Sequence, residues 1–179
     1  MEEISAGLIK RIKPIRLLLM DVDGTLSDGR LYYNDEWVES KAFDVTDGFG
    51  ISLLHSQGVK TGIVTGRESR IVTERARELG VEIVYQGRFR KDDVLAKILK
   101  EQNLDEGQVA FIGDDLFDLP ILLRVGFSAA PADAHPEVRK RVHFVSKRNG
   151  GRGAVRELCE VILKVQGHWE NILQNYLQE

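Results

Sequence analysis

The chain has 179 residues, 42% hydrophobic and 30% charged, which fits one globular domain with a buried core and excludes a disordered chain. A formal net charge of −3 excludes the overall basic field that gathers nucleic acid. A single cysteine, Cys159, excludes a disulfide framework or a cysteine-rich metal site within one chain. It falls in an apolar helical pattern and reads as a small buried hydrophobe.

The N-terminus runs Met1-Glu2-Glu3-Ile4 to Lys10-Arg11-Ile12-Lys13-Pro14, and the apolar run that follows, residues 15–20, ends at an aspartate. That run is too short for a signal peptide core or a membrane span, so the expected location is the cytoplasm, with no membrane partner. It predicts the first strand. Residues 31–34 and 37–43, rich in aromatic and β-branched side chains, flank Asn34-Asp35-Glu36 and predict a β-hairpin. Its aromatics call for a cover, from the domain or from another subunit.

Further short apolar runs predict strands at 59–64, 82–85, 109–112, 126–129 and 142–145. Helical spacing lies between them. Ile51, Leu54 and His55 form one face, Ile71, Val72, Ala76 and Leu79 the next, and Val94, Ala96, Ile98 and Leu99, after Phe89, a third. Gly58, Gly80 and Gly126 stand where left-handed C-terminal caps are expected. From Leu158 the apolar positions Leu158, Ile162, Val165, Trp169, Ile172 and Tyr176 make a heptad-like seam, interrupted by Gly167, for packing on the body or on another subunit. Strands alternating with helices imply an α/β fold: a Rossmann-like, mainly parallel sheet with helices on both faces, plus the hairpin. One domain over 1–179 is expected, with its core at about 13–166 and a helical tail over 167–179. Ligands of such sheets sit beyond the carboxyl ends of the strands.

The residues at those ends are informative. The first strand runs into Asp21-Val22-Asp23-Gly24-Thr25, with two carboxylates two residues apart, and the strand at 109–112 into Gly113-Asp114-Asp115-Leu116-Phe117-Asp118. Neighbouring parallel strands lie less than about 5 Å apart, so the two acidic groups can face one hard, oxygen-liganded cation. Thr65-Gly66-Arg67 offers a hydroxyl, a free amide and a cation, and Lys91 stands near a helix start. A metal-binding half facing a phosphate-binding half suits phosphoryl transfer, with a carboxylate as nucleophile and its neighbour as acid and base.

Asp21-x-Asp23-Gly24-Thr25, Thr65, Lys91 and Gly113-Asp114-Asp115-x-x-Asp118, in this order, resemble the four motifs of the haloacid dehalogenase-like superfamily. The resemblance implies Asp21 as nucleophile and metal ligand and Asp23 as general acid/base that also gives its backbone carbonyl to Mg2+. It implies Thr65 and Lys91 as phosphoryl holders and Asp114 as the acidic metal ligand, supported by Asp115 and Asp118. Asp28-Gly29-x-Leu31-Tyr32, Lys41-x-Phe43-x-x-x-Asp47-Gly48-x-Gly50-Ile51, Tyr85-Gln86-Gly87, Ala132-Asp133-Ala134-His135-Pro136 and Gly150-Gly151-x-Gly153-Ala154-Val155-Arg156-Glu157 are similar to the 3-deoxy-D-manno-octulosonate 8-phosphate phosphatases, a capless branch. That family implies a Mg2+-dependent hydrolysis of this phosphorylated sugar acid in lipopolysaccharide precursor synthesis. It also implies a homotetramer assembled through the hairpin, with a neighbouring subunit over the site. Thr25, Gly66, Arg67 and Arg75 are then the substrate-binding positions.

Other readings stay open. Arg67 reads also as a solvated charge, as does Arg75 among Glu74, Arg77 and Glu78. His135 reads as a turn or cap residue, Arg139-Lys140-Arg141 as a solvated face. Gly150-Gly151-Arg152-Gly153 reads as a hinge, since no P-loop Lys-Ser/Thr follows; Arg152 or Arg156 could reach a neighbouring site. The competing functions are a phosphatase for a nine-carbon sialic-type acid phosphate and a non-catalytic oligomerisation module. A phosphotransferase needs a cap to exclude water, for which the spacing leaves no room.

Overall fold

The computed structural model describes residues 4–88 and 90–177. Met1 to Glu3, Phe89 and the end of the expected tail, Gln178 and Glu179, lie outside the described residues. The order is α1 (Ala6–Ile12), β1 (Leu17–Met20), β2 (Tyr32–Tyr33), β3 (Glu39–Ser40), α2 (Val45–Ser56), β4 (Lys60–Val64), α3 (Arg70–Glu78), β5 (Ile83–Tyr85) and α4 (Lys91–Gln102). Then follow β6 (Val109–Ile112), α5 (Leu119–Leu122), β7 (Phe127–Ala130), α6 (Pro136–Arg139), β8 (Phe144–Val145), α7 (Ala154–Val165) and α8 (Trp169–Leu177).

Six strands form one parallel sheet in the order β5-β4-β1-β6-β7-β8. Burial on two sides explains their unbroken apolar sequences. Alternate residues feed two cores. Leu18, Met20, Ala110 and Ile112 face α1, α2, α3, α7 and α8, whereas Leu17, Leu19, Val109 and Phe111 face α4, α5 and α6. The hairpin stands apart as an antiparallel pair, Tyr32 opposite Ser40 and Tyr33 opposite Glu39. Asn34 Oδ1 accepts the amides of Glu36 and Val38 and makes its turn. Trp37 at its tip is 81% exposed. Among the described residues, no helix is long and apolar enough to cross a membrane.

Three expectations change. Gly58 and Gly80 adopt positive φ as caps, but Gly126 does not. Its place is fixed by closeness, because a Cβ there would lie 2.4 Å from the Gly107 carbonyl oxygen. On α4 the buried face is Val94, Leu95 and Ile98, and Ala96 is exposed. The seam from Leu158 is two helices, because Gly167 turns left-handed (φ +81°) and His168 N–H caps the Leu163 carbonyl. Leu158, Ile162 and Ile172 still reach the core, while Tyr176 is left mostly exposed beside Phe49. Cys159 is fully buried, and burial pushes its thiol up.

Candidate active site

The chain builds β4 and β5 on one side of β1, then crosses to build β6, β7 and β8 on the other. The crevice at the tips of β1 and β6 is therefore the switch point where such sheets bind ligands. Register holds the two tips level. Met20 pairs with Ile112, and Asp21 N–H donates to the Ile112 carbonyl at 3.0 Å. One residue further, Asp21, Asp114 and Asp118 bring carboxylate oxygens within 4.8 Å of one another.

Lys91, the first residue of α4, enters this group from the side. Its side chain is 0% exposed, and Nζ donates to Asp21 Oδ1 at 2.6 Å and to Asp118 Oδ1 at 2.5 Å. The Phe111 and Phe117 rings lie 5.5 and 4.8 Å from Nζ. Burial alone would lower the Lys91 pKa, but the Asp21 and Asp118 carboxylates hold it above the ordinary value. Asp118 uses its other oxygen to accept the amides of Asp114 and Asp115, at 3.0 and 3.2 Å. This tight return requires Gly113, where a Cβ would meet the Asp118 carboxyl carbon at 2.5 Å. Asp115 accepts Leu116 N–H and starts the turn that carries Asp118. Burial, then the Asp118 charge, push Asp21 up to about 7 against the pull of Lys91. Burial and the charges of Asp21, Asp118 and Asp115 push Asp114 up to about 8.

The loop after Asp21 lies against Asp114. Gly24 has φ +92°, and a Cβ there would fall 2.1 Å from Asp114 Oδ2. Thr25 is fully buried, and its hydroxyl donates to Asp114 Oδ1 at 3.4 Å. The glycines at 150 and 151, read from sequence as a hinge, brace this loop instead. A Cβ on Gly150 would sit 1.8 Å from the Gly24 carbonyl oxygen, and Gly151 N–H donates to the Thr25 carbonyl at 2.9 Å.

Asp23 turns away from the three clustered acids. Its carboxylate pairs with Lys41, whose side chain is 1% exposed, and lies 3.8 Å from Arg67 Nε. Lys41 is also 3.4 Å from Glu39. Arg67 Nη2 donates to Glu39 at 3.1 Å and to the Tyr33 hydroxyl at 3.0 Å, and Ser69 Oγ donates to Glu39 at 2.6 Å. Burial opposes the charge on Glu39, but Ser69, Lys41 and Arg67 together hold its pKa below the usual range. Thr65 is buried at the tip of β4, and Gly66 follows it. Arg75 is elsewhere in its contacts: it pairs with Glu78 and lies over the Phe43 ring at 5.7 Å, with Nε buried and unpartnered.

A family model described as haloacid dehalogenase-like hydrolase matches residues 81–158. The 3-deoxy-D-manno-octulosonate 8-phosphate phosphatase of Yersinia pestis is 42% identical over 167 residues, 93% of this chain and 89% of the relative. The chain belongs to the 3-deoxy-D-manno-octulosonate 8-phosphate phosphatase family of haloacid dehalogenase-like hydrolases. The crystal structure of the Yersinia pestis phosphatase superposes with a TM-score of 0.92 at 42% identity, covering 93% of this chain and 90% of that one. That of the Moraxella catarrhalis phosphatase, a complex with a magnesium ion, a phosphate ion and a KDO molecule, gives a TM-score of 0.94 at 38% identity, covering 97% and 99%.

The donor set fits a divalent ion. Asp21 Oδ2 is buried with no hydrogen-bond partner, and Asp114 has no cation in contact among the described residues. Such oxygens suit a hard cation. Lys41, Glu39, Ser69 and Asp47 were not singled out as site residues from sequence. Asp47 accepts the amides of Arg156 at 2.7 Å and Gly153 at 3.3 Å, fixing the start of α7 behind the glycine brace. Lys41 and Asp47 lie in one family-like stretch, which was their only signal. His135 caps α6 by accepting Glu137 N–H, and Lys140 and Arg141 pair with Glu137.

Proposed function

We propose that this chain hydrolyses 3-deoxy-D-manno-octulosonate 8-phosphate to the free sugar acid and phosphate through an aspartyl-phosphate on Asp21. The observation that carries the reading is the Asp21 carboxylate: one oxygen is held by Lys91 and the other is buried, unpartnered and beside Asp114. The 42% identity to phosphatases of this substrate supports the choice of sugar acid.

In the first step Asp21 attacks phosphorus, a P–O bond to Asp21 forms, and the bond to the sugar C8 oxygen breaks. Asp23 gives that oxygen a proton. In the second step water attacks phosphorus, Asp23 takes the water's proton, and the bond to Asp21 breaks to release phosphate. Lys91 holds the nucleophile and balances charge; Thr65, buried at the next strand tip, would donate to a phosphoryl oxygen. Asp21, Asp114 and the Asp23 backbone carbonyl would hold Mg2+, which would neutralise the phosphoryl oxygens. Asp118 is occupied by Lys91 and two amides, so we assign it to orienting the others. Gly66 and Arg67 would face the substrate. Thr25 supports Asp114, and Arg75 reaches the sugar acid only if it leaves Glu78.

We further propose that the chain acts as one domain in the cytoplasm, supplying lipopolysaccharide precursors. The exposed aromatic hairpin supports assembly as a homotetramer whose neighbour covers the site. The deciding assay is phosphate release from eight- and nine-carbon sugar-acid phosphates with and without Mg2+. The eight-carbon substrate is expected to have the higher kcat/KM, and Asp21→Asn to lose about 10³-fold or more. Normal turnover by Asp21→Asn would defeat the mechanism; a higher kcat/KM for the nine-carbon acid would defeat the substrate.

A further inference from the structure

The end of the sheet opposite the acidic cluster holds a feature that hydrolysis does not use. A cavity of about 590 Å³ opens there, at the loop before β1, the turn between α2 and β4, and the turn between α7 and α8. Small-molecule sites span roughly 300–1,000 Å³. The wall carries Lys13, Arg16 and His168 together with the amides of Gln57, Gln108 and Gln166, and no Asp or Glu lines it. On a chain of net charge −3 this concentration of cations without a carboxylate is uneven.

The pairing pattern sharpens the point. Many surface cations are matched by neighbours, as in Arg77–Glu74, Arg124–Glu106 and Lys140–Glu137. Among the described residues, the side chains of Lys13, Arg16 and His168 have neither an ion pair nor a hydrogen bond. Their backbone, by contrast, is fixed. Gln166 Nε2 donates to the carbonyls of Ile12, Lys13 and Ile15. Arg16 N–H donates to the Gln108 carbonyl at 2.8 Å, and its own carbonyl accepts Lys60 N–H at 2.9 Å. The frame is built and the charged ends are free.

We propose that this cavity binds a small oxyanion-bearing metabolite, carrying a phosphoryl or a carboxylate group, at the end of the sheet away from the catalytic rim. The Arg16 fork takes two oxygens of the anion. Lys13 adds its charge, and the Gln108 side-chain NH2 and His168 hydrogen-bond the remainder. The occupant ties the α7–α8 turn to the bases of β1 and β4, the two strands whose tips carry Asp21 and Thr65. Binding to the folded chain alone raises its melting temperature.

The test uses the full chain without Mg2+, with methylphosphonate as the phosphoryl probe and malonate as the carboxylate probe. At saturation at least one probe raises the melting temperature by about 2–4 °C, and the probe that does so names the group. The Lys13→Gln/Arg16→Gln variant loses that rise while its kcat and KM on a phosphorylated substrate stay as in the parent. Should the double variant not fold, Arg16→Gln alone loses at least half of the rise. The proposal fails if neither probe shifts the parent chain, or if the variants shift as far as the parent, which would place the anion elsewhere, the catalytic rim included.

Discussion

Replacing Lys91 by Met tests the charge balance on which the acidic rim depends. At 2.6 and 2.5 Å from Asp21 and Asp118, each contact amounts to about 6 kcal/mol of gross attraction at an effective dielectric of about 20. Most of that offsets the cost of burying the ions, several kcal/mol apiece. Removing the lysine alone leaves that cost uncompensated, and the usual loss for one partner of a buried pair is about 3–5 kcal/mol. The expected loss for Lys91→Met is therefore about 3–5 kcal/mol at pH 8 without metal, read by urea unfolding. Its pH dependence follows from the clustered acids. With their folded pKa values already raised and raised further without Lys91, the native state holds more protons than the unfolded chain above about pH 4. Stability then falls as pH rises, so the deficit is small near pH 4–5 and grows toward pH 8. Mg2+ should recover about 2.7 kcal/mol at a hundred times its Kd. A variant within about 1 kcal/mol of the parent at pH 8 would refute the reasoning, as would a deficit flat with pH.

Three further outcomes are expected. Gly150→Ala drives a methyl into the Gly24 carbonyl, backbone against backbone, so the loop bearing Asp23 must shift, and kcat should drop about 10²-fold for a displacement near 1 Å; unchanged kcat would mean the loop is not braced there. Lys41→Met leaves Asp23 and Glu39 without their buried cation, and kcat/KM should fall about 10²-fold, within the range of a disturbed general acid, with Mg2+ affinity unchanged; lost Mg2+ affinity with normal kcat would contradict the assignment. Asp47 is pushed up to about 6, chiefly by burial and against three helix amides. The native state therefore favours its protonated form, so Asp47 contributes a loss of about 2 kcal/mol between pH 4 and pH 7. Asp47→Asn should lose about 2 kcal/mol less than the parent between pH 4 and pH 7 in denaturation; equal losses in the two proteins would exclude it.

The sheet was largely legible because a two-sided buried strand writes its burial into consecutive residues. Residues 109–112 are β6 to the residue, and the tips carrying Asp21, Thr65 and Asp114 were located from that pattern alone. The four-motif order then brought Asp21, Lys91 and Asp114 into one group, as the geometry does. What remained hidden depends on contacts distant in sequence. Lys41 looks like any lysine of a hairpin leg until the leg folds back on Asp23, 18 residues away. Gly150 looks like a hinge until its nearest atom is found to be the Gly24 carbonyl oxygen. Gly126 was misread for the same reason, with Gly107 as the unseen neighbour. On α4, helical spacing alone did not separate Leu95 from Ala96, because α5 and the sheet set the buried arc.

The distribution of cations explains how neighbouring carboxylates can take different roles. Lys91 neutralises Asp21 and Asp118 from the α4 side, and Lys41 with Arg67 neutralises Asp23 and Glu39 from the hairpin side. Among the described residues neither lysine pairs with Asp114, whose side chain accepts one long hydrogen bond from Thr25, and neither hydrogen-bonds Asp21 Oδ2. The uncompensated oxygens are therefore confined to the gap between the β1 and β6 tips, and a divalent ion there would complete the balance without competing with either lysine. The same division holds Asp21, the proposed nucleophile, apart from Asp23, the proposed acid/base. Asp23 pairs its side chain with Lys41 and Arg67 on the hairpin side, while Asp21 is held by Lys91 at the tip of β1. A single lysine shared between them would pull both carboxylates to one point and leave no separate group to protonate the leaving oxygen.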